Sequence, residues 1–216
     1  GDTTDEDNET LFVNLSDLTN LTTSGSDLQG VGTITNDDVA PTVSINDVST
    51  LEGNSGTTPL GFTVSLSAPS GRTITVKYAT ADNTATTANN DYVAIPATLL
   101  TFAPGETSKP AVVTVNGDTT DEDNETLFVN LSDLTNLTTL GSDLQGVGTI
   151  TNDDVAPTVS INDVSTLEGN SGTTPLTFTV SLSAPSGKTI TVKYATADNT
   201  ATIANNDYVG VPATLL

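Results

Sequence analysis

The chain repeats itself with a period of 116 residues, and this repeat constrains its fold more than any single motif does. The segment GDTTDEDNETLFVNLSDLTNLTT begins at Gly1 and again at Gly117. Residues 1–100 align on residues 117–216 without gaps and with six differences: Ser24/Leu140, Gly61/Thr177, Arg72/Lys188, Thr87/Ile203, Ala94/Gly210 and Ile95/Val211. Such near identity between neighbours indicates recent tandem duplication, which suits an array of binding or spacing units better than an enzyme with divided labour.

The repeats are cut out of phase by the two ends of the chain. We place the boundary between repeats in the TNDDVAPT stretch, because acidic turn residues there meet a proline that cannot donate to a β-ladder. This phase predicts the C-terminal part of one repeat over 1–38, a complete repeat over 39–154 and the N-terminal part of the next over 155–216. We expect neither terminal part to fold alone. Either the chain is a segment of a longer polypeptide, which we favour, or neighbouring chains complete its ends.

Alternation of apolar and polar residues predicts strands and no helices in the complete repeat. The inward-facing residues include Phe62 with Val64 and Leu66, and Leu127 with Val129. Turn sequences such as GNSGTTP, SAPSG and APGE separate the strands. The pattern predicts an all-β fold, an immunoglobulin-like antiparallel β-sandwich. Its candidate strands are Thr42–Asn46, Ser49–Glu52, Leu60–Ser67, Thr73–Ala79, Ala97–Phe102, Lys109–Asn116, Glu125–Ser132 and Gly146–Thr151.

The composition excludes several classes of function. The chain has 27 Asp and Glu against 5 Lys and Arg, a net charge of −22, and no His, Cys, Met or Trp. Catalytic triads, zinc fingers and thiol redox sites are therefore excluded, and we predict that the chain is not an enzyme. The charge predicts repulsion of nucleic acid, and no apolar run is long enough to predict membrane insertion of this segment.

The acidic residues are concentrated at strand ends. The loop DTTDEDNE over 118–125 holds five acids, Asn152-Asp153-Asp154 follows the last strand, and Glu52 and Asp82 lie at other turns. Hard cations such as Ca²⁺ take six to eight oxygen ligands, so such loops gathered at one end of a sandwich predict a calcium site. The alternative is a solvated acidic surface without metal. Asp91 in NNDY is interpreted as a structural turn residue beside a buried tyrosine.

Several motifs in order along the whole repeat resemble the Calx-β domain family: TLEGNSG, FTVSLSAPSGKTITVKYATAD, NNDY, LTFAPGETSK, DEDNETLFVNLS and GVGTITNDD. The resemblance implies a sandwich of two antiparallel sheets with calcium at one end. The implied calcium ligands in the complete repeat are Glu52, Asp82, Asp118, Glu122, Glu125, Asn152, Asp153 and Asp154. The same positions in the partial copies are Asp2, Glu6, Glu9, Asp37, Asp38, Glu168 and Asp198.

From these observations we predict a calcium-binding structural module, in which Ca²⁺ rigidifies the domain ends and linkers of a tandem array. The expected setting is extracellular or at the cell surface, in a bacterial adhesin stalk or matrix fibre, because weak sites of many carboxylates suit millimolar calcium. The expected partners are neighbouring repeats of the same chain, or identical chains in a fibre. The alternative is an adhesive repeat that recognises a glycan or partner protein through its surface. A calcium sensor of a transporter is a third, less favoured class.

Overall fold

The computed structural model describes all 216 residues, and its regular secondary structure consists of strands alone. This confirms the predicted all-β class. The chain divides into two compact units. The first consists of Gly1–Asp118 with Asn124–Thr151, and the second consists of Thr119–Asp123 with Asn152–Leu216. The structure contains no helix with the length and hydropathy that crossing a bilayer would require.

The first unit holds two strands of the preceding partial repeat and nine strands of the complete repeat. They are β1 (Glu9–Asn14), β2 (Gln29–Ile34), β3 (Val43–Ile45), β4 (Val48–Leu51), β5 (Gly56–Leu66), β6 (Ile74–Asp82), β7 (Tyr92–Val93), β8 (Thr98–Phe102), β9 (Ser108–Gly117), β10 (Glu125–Thr135) and β11 (Gln145–Thr151). The complete repeat forms a five-stranded sheet in the order β4-β11-β10-β6-β8 and a four-stranded sheet in the order β3-β5-β9-β7. All neighbours are antiparallel except β4 and β11, which run parallel.

The core of the first unit lies between these two sheets, because each strand turns alternate apolar side chains inward. Phe62, Leu60 and Val113 come from the four-stranded sheet, while Leu127 and Phe102 come from the five-stranded sheet, and all five are essentially inaccessible to solvent. The other core members are Val43, Ile45, Val64, Leu66, Ile74, Val76, Ala85, Tyr92, Ala111, Val115, Val129, Leu131 and Ile150. Two packed sheets with one shared core confirm the predicted β-sandwich.

The hairpin β1–β2 repeats the geometry of β10–β11. Glu9 pairs with Ile34 as Glu125 pairs with Ile150, one period later in the sequence. In this partial copy Leu11 and Val13 are exposed, whereas their counterparts Leu127 and Val129 are buried. The local pairing thus forms from the hairpin sequence, while burial of its apolar face needs the rest of the sandwich.

The second unit holds short strands of the following partial repeat. They are β12 (Val159–Ile161), β13 (Val180–Leu182), β14 (Lys193–Tyr194) and β15 (Thr214–Leu215). Val159 pairs with Leu182, and Lys193 pairs with Leu215, which are the registers of β3 with β5 and of β6 with β8 one period earlier. The same sequence therefore specifies the same pairings in the complete and partial copies.

All eight predicted strands of the complete repeat are present, with different ends. Strand β5 begins at Gly56 rather than Leu60, and β10 continues to Thr135 rather than Ser132. The two-residue strand β7 was not predicted; it pairs Tyr92 with Val115 of β9. The repeat bounds 1–38, 39–154 and 155–216 stay a prediction.

Candidate metal centre

Three of the predicted ligands lie at one end of the five-stranded sheet. Glu52 directly follows β4, Asp82 ends β6 and Glu125 begins β10. Register explains why they share this end: β10 runs opposite to both β6 and β11, and β4 runs parallel to β11. The outgoing ends of β4, β6 and β11 therefore lie beside the incoming end of β10.

The four-stranded sheet brings two more acids to the end of its own strands. Asp91 directly precedes β7 and Asp118 directly follows β9. Because β7 and β9 are antiparallel, the start of one lies beside the end of the other. A backbone hydrogen bond fixes this proximity, since the N–H of Asn116 donates to the carbonyl of Asp91 at 3.0 Å. The acidic loop thus leaves the sheet next to Asp91.

A close backbone approach places the start of the acidic loop against the Glu52 turn. Gly53 has φ of +85°, a conformation that favours glycine and turns the chain sharply after Glu52. Gly117 packs so closely on this turn that a Cβ there would overlap the carbonyl group of Gly53. Glu52 itself is 7% exposed, and its N–H donates to the carbonyl of Thr151 at 3.0 Å. The acid at this turn is therefore held by the ladder of the sheet.

The carboxylates of Asp91 and Glu125 lie close together in the first unit. Their carboxylate oxygens lie within 4.8 Å of each other, and both residues are half-buried. Two like charges at this separation repel each other unless a cation lies between them. Glu125 was a predicted ligand, whereas Asp91 was interpreted as structural. Asp91 does serve its turn, because its Oδ2 accepts a hydrogen bond from the N–H of Thr86 at 2.6 Å. The sequence offered no signal for this second role, because the short strand β7 that follows Asp91 was not predicted.

Asp82 is oriented by two hydrogen bonds to one of its oxygens. Oδ1 accepts from the phenol of Tyr92 at 2.5 Å and from the N–H of Thr87 at 3.1 Å. Tyr92 is 3% exposed, and its burial, followed by the hydrogen bond to Asp82, raises the pKa of its phenol to about 12. The phenol therefore remains a donor at physiological pH and fixes the direction in which the Asp82 carboxylate points.

The preceding partial copy gathers its predicted ligands in one cleft of the first unit. Residues that line it include Asp2, Glu6, Glu9, Asp37 and Asp38. Thus all five acids predicted for this copy lie around a single opening, although its apolar strand faces are exposed. The clustering depends on the β1–β2 pairing and the adjoining loops rather than on a complete sandwich.

In the second unit, the two predicted residues of the following copy are exposed. Asp198 repeats the bond of Asp82: its Oδ1 accepts from the phenol of Tyr208 at 2.7 Å and from the N–H of Ile203 at 2.9 Å. The bond from Tyr208, with that from Ile203, lowers the pKa of the Asp198 carboxyl. The carbonyl oxygen of Glu168 accepts a hydrogen bond from the hydroxyl of Thr174 at 3.1 Å. The orientation of the acid by a tyrosine is therefore a local property of the repeat.

Asn152 acts within the second unit as a clamp between the acidic loop and the residues that follow β11. Its Oδ1 accepts from the N–H of Glu122 at 3.2 Å, and its Nδ2 donates to the carbonyl of Asp154 at 3.2 Å and approaches Oδ1 of Asp121 at 3.5 Å. Asn36 makes the equivalent contacts to Glu6, Asp38 and Asp5. The amide of asparagine both donates and accepts, whereas a carboxylate only accepts, so aspartate could not make the same set of contacts.

The chemistry of the assembled donors fits calcium. The acids at the end of the sandwich offer carboxylate oxygens, which are among the ligands that Ca²⁺ takes in sets of six to eight. Sulfur and imidazole ligands are absent from the sequence, so a site of the zinc type would have to rely on carboxylates alone. The arrangement can bind a hard cation, which would neutralise clustered carboxylates at the end of a rigid scaffold.

Comparison with known proteins finds one family. The family model described as the Calx-beta domain matches residues 35–154 and 152–216. No curated protein matches the chain. Among solved structures, the apo form of the Calx CBD1 domain is 20% identical, with a TM-score of 0.41, over 52% of this chain and 99% of that one. The CBD12 region of CALX1.2 is 23% identical, with a TM-score of 0.43, over 56% of this chain and 48% of that one.

Proposed function

The chain belongs to the Calx-beta domain family, and on this premise we propose that its complete repeat binds Ca²⁺ at the acidic end of the sandwich. The observation that carries the proposal is the half-buried pair Asp91 and Glu125, whose carboxylate oxygens lie within 4.8 Å of each other. The two acids lie at the starts of β7 and β10, which belong to different sheets, so two anionic oxygens are held close enough for one cation to contact both.

The ligands that we propose combine this pair with the predicted acids around it. Asp82 is directed by Tyr92, and Glu52 and Asp118 lie on either side of the close approach between Gly53 and Gly117. Glu122, Asp153 and Asp154 belong to the second unit and stay ligands predicted from the sequence. Within that unit, the side chain of Asn152 accepts from the N–H of Glu122 and donates to the carbonyl of Asp154.

We propose that calcium serves a structural role in a tandem array. The acids repeat with the 116-residue period, and those after β11 lie in the segment that leads to the following repeat. Calcium held there would neutralise the carboxylates of the domain end and its linker, and so stiffen the junction. The setting that suits this role is an extracellular or cell-surface stalk or fibre of a bacterium, where calcium is millimolar and weak sites are filled.

Thermal unfolding in chelator and in increasing CaCl₂ tests calcium binding by the intact chain. Binding to the native state alone raises the melting temperature with ligand concentration. We expect a rise of several degrees by about 5 mM CaCl₂, given affinities of about 10⁻⁴ to 10⁻³ M, and a much smaller rise in MgCl₂, because Mg²⁺ demands a tighter octahedral site. An identical melting temperature in chelator and in CaCl₂ would leave only the solvated acidic surface.

Small-angle scattering of a multi-repeat polypeptide tests the structural role separately. If calcium rigidifies the joints, the maximum dimension increases when calcium replaces chelator. Binding with an unchanged maximum dimension would retain the calcium site but reject the stiffened rod. Loss of adhesion after mutation of exposed loops far from the acidic end, with the scattering profile unchanged, would favour the adhesive alternative.

A further inference from the structure

The acidic loop of the preceding copy contacts the SAPSG turn of the complete repeat within the first unit. Asp5 is 3% exposed and Ser70 is 2% exposed. The carbonyl oxygen of Asp5 accepts hydrogen bonds from the N–H of Gly71 at 2.9 Å and from the hydroxyl of Ser70 at 3.0 Å. The guanidinium of Arg72 lies 3.7 Å from Oδ1 of Asp5 and 3.0 Å from Oδ1 of Asp7, and it also donates to the carbonyl of Glu6.

The second unit contains the same contact one period later. The carbonyl oxygen of Asp121, which is 6% exposed, accepts from the N–H of Gly187 at 3.1 Å and from the hydroxyl of Ser186 at 3.0 Å. The ammonium group of Lys188 lies 2.8 Å from Oδ1 of Asp121 and 3.7 Å from Oδ1 of Asp123. The hydrogen bond to Asp121 raises the pKa of the Lys188 side chain. Two separate copies of the junction therefore contain the same contact.

The burial of the aspartate and the opposite charge beside it indicate that this contact is a specific interaction. A carboxylate almost withdrawn from water needs compensating charge and hydrogen bonds, and the turn supplies both. The basic position is one of the six that differ between copies, yet arginine is replaced only by lysine. The glycine of the turn matters as well. A Cβ at Gly71 would come within 2.8 Å of Cγ of Glu6, and a Cβ at Gly187 would come equally close to Cγ of Glu122.

We propose that the acidic loop of each repeat and the SAPSG turn of the next form a docking pair that joins consecutive repeats without calcium. The loop contributes the buried Asp5 or Asp121, and the turn contributes the serine, the glycine N–H and the basic side chain. The two surfaces differ, so the interface is head-to-tail and can propagate along an array of any length. Asp5 and Asp121 are thereby assigned to the junction rather than to the metal site.

Amide hydrogen exchange by NMR, in chelator, tests this docking on the intact chain. The amides of Gly71 and Gly187 report on the two junctions, because each donates across its junction to the carbonyl of the buried aspartate. In Asp5→Asn the charge is lost and the shape retained. The substitution weakens the contacts of the side chain with Arg72 and Ser70, which hold the loop against the turn. We therefore expect the junction to open more often and the protection of the Gly71 amide to fall about tenfold, while Gly187 stays unchanged. Asp121→Asn reverses this pattern.

Asp17→Asn is the matched control, because it removes the same charge from an exposed residue of the same partial copy. Asparagine also accepts the positive φ found there. Three results would overturn the proposal: glycine amides that are unprotected in chelator, protection that Asp5→Asn leaves unchanged, or an equal fall at Gly71, Gly187 and the core amide of Val64. Because calcium is absent throughout, these results are independent of whether the chain binds calcium.

Discussion

The phenol of Tyr92 donates a hydrogen bond of 2.5 Å to Oδ1 of Asp82, and so joins the buried core to the acidic end of the sandwich. Tyr92 is almost fully buried, while Asp82 is an exposed acid on the last residue of β6. The core thus sets the direction of a proposed calcium ligand through a single side-chain contact. Tyr208 and Asp198 repeat this bond in the following copy.

Burial of the Tyr92 phenol, together with this bond, predicts a pH dependence of stability at the alkaline end. The pKa of Tyr92 is raised from 10.0 to about 12, so the native state holds the phenolic proton more tightly than the unfolded state does. The corresponding stability is fully present below pH 10 and is lost as the pH rises through 12. Denaturant unfolding at pH 8 and pH 11.5 should give a fall in the free energy of unfolding that is about 2 kcal/mol larger for the wild type than for Tyr92→Phe. Equal falls in the wild type and in Tyr92→Phe would contradict the raised pKa of the Tyr92 phenol.

Asp91→Asn tests the residue that sequence reasoning did not assign to the metal. Its carboxylate faces that of Glu125, so loss of its charge should weaken calcium binding by the complete repeat about tenfold or more. Without calcium the same substitution relieves repulsion and should leave the melting temperature unchanged or slightly raised. Calcium titration monitored by NMR shifts of the loop amides measures the affinity, and thermal unfolding in chelator measures the stability. Asp17→Asn, an exposed acid outside the site, should change neither, and an unaltered affinity in Asp91→Asn would exclude Asp91 as a ligand.

Asn152→Asp separates the clamp from metal ligation. Aspartate can accept from the N–H of Glu122, but it cannot donate to the carbonyl of Asp154, and it adds charge beside Asp121. We expect the melting temperature in chelator to fall, because a hydrogen bond worth about 1 kcal/mol is replaced by repulsion. Calcium should recover part of this loss if the new acid adds a ligand. Stability in chelator equal to that of the wild type would show that the amide clamp is dispensable.

Gly148→Ala tests the packing of the two sheets. A Cβ at Gly148 would come within 2.6 Å of Leu60 and 2.9 Å of Phe62, side chains of the opposite sheet. Overpacking of this kind costs about 1–3 kcal/mol, so the free energy of unfolding of the complete repeat should fall by that amount. Gly32 holds the same place in the β1–β2 hairpin, where only Leu11 lies near its Cβ position, at 3.3 Å. Gly32→Ala should therefore be close to neutral, and equal effects at the two positions would contradict the packing described.

The strands were predictable from sequence because their apolar residues alternate and their turns are marked by glycine, proline and asparagine. The start of β5 was not, because Pro59 and Gly56 count against a strand when read locally. In the structure Pro59 pairs with Thr114 of β9, beyond the part of β5 that pairs with β3. Its missing N–H is therefore tolerated, and only the register of the neighbouring strands reveals this.

The sequence predicted that acids at the ends of strands form the candidate site, because the strand order of a sandwich brings several strand ends together. The sequence did not show which acids bind metal and which make contacts between repeats. Asp121 and Asp123 stand in the same DTTDEDNE loop, yet Asp121 is buried against a lysine 67 residues away, while Asp123 remains exposed. Asp91 resembled any turn aspartate until its pairing with Glu125 was known. These roles depend on contacts between segments distant in sequence, which no local pattern encodes.

Calorimetric titration of the intact chain with CaCl₂, after removal of metal, tests calcium binding most directly. We expect saturable heat, with dissociation constants between about 10⁻⁴ and 10⁻³ M, more than one ion per chain, and a reduced number of ions for Asp91→Asn. Heats that do not saturate up to about 10 mM CaCl₂, ten times the weakest expected dissociation constant, would contradict it.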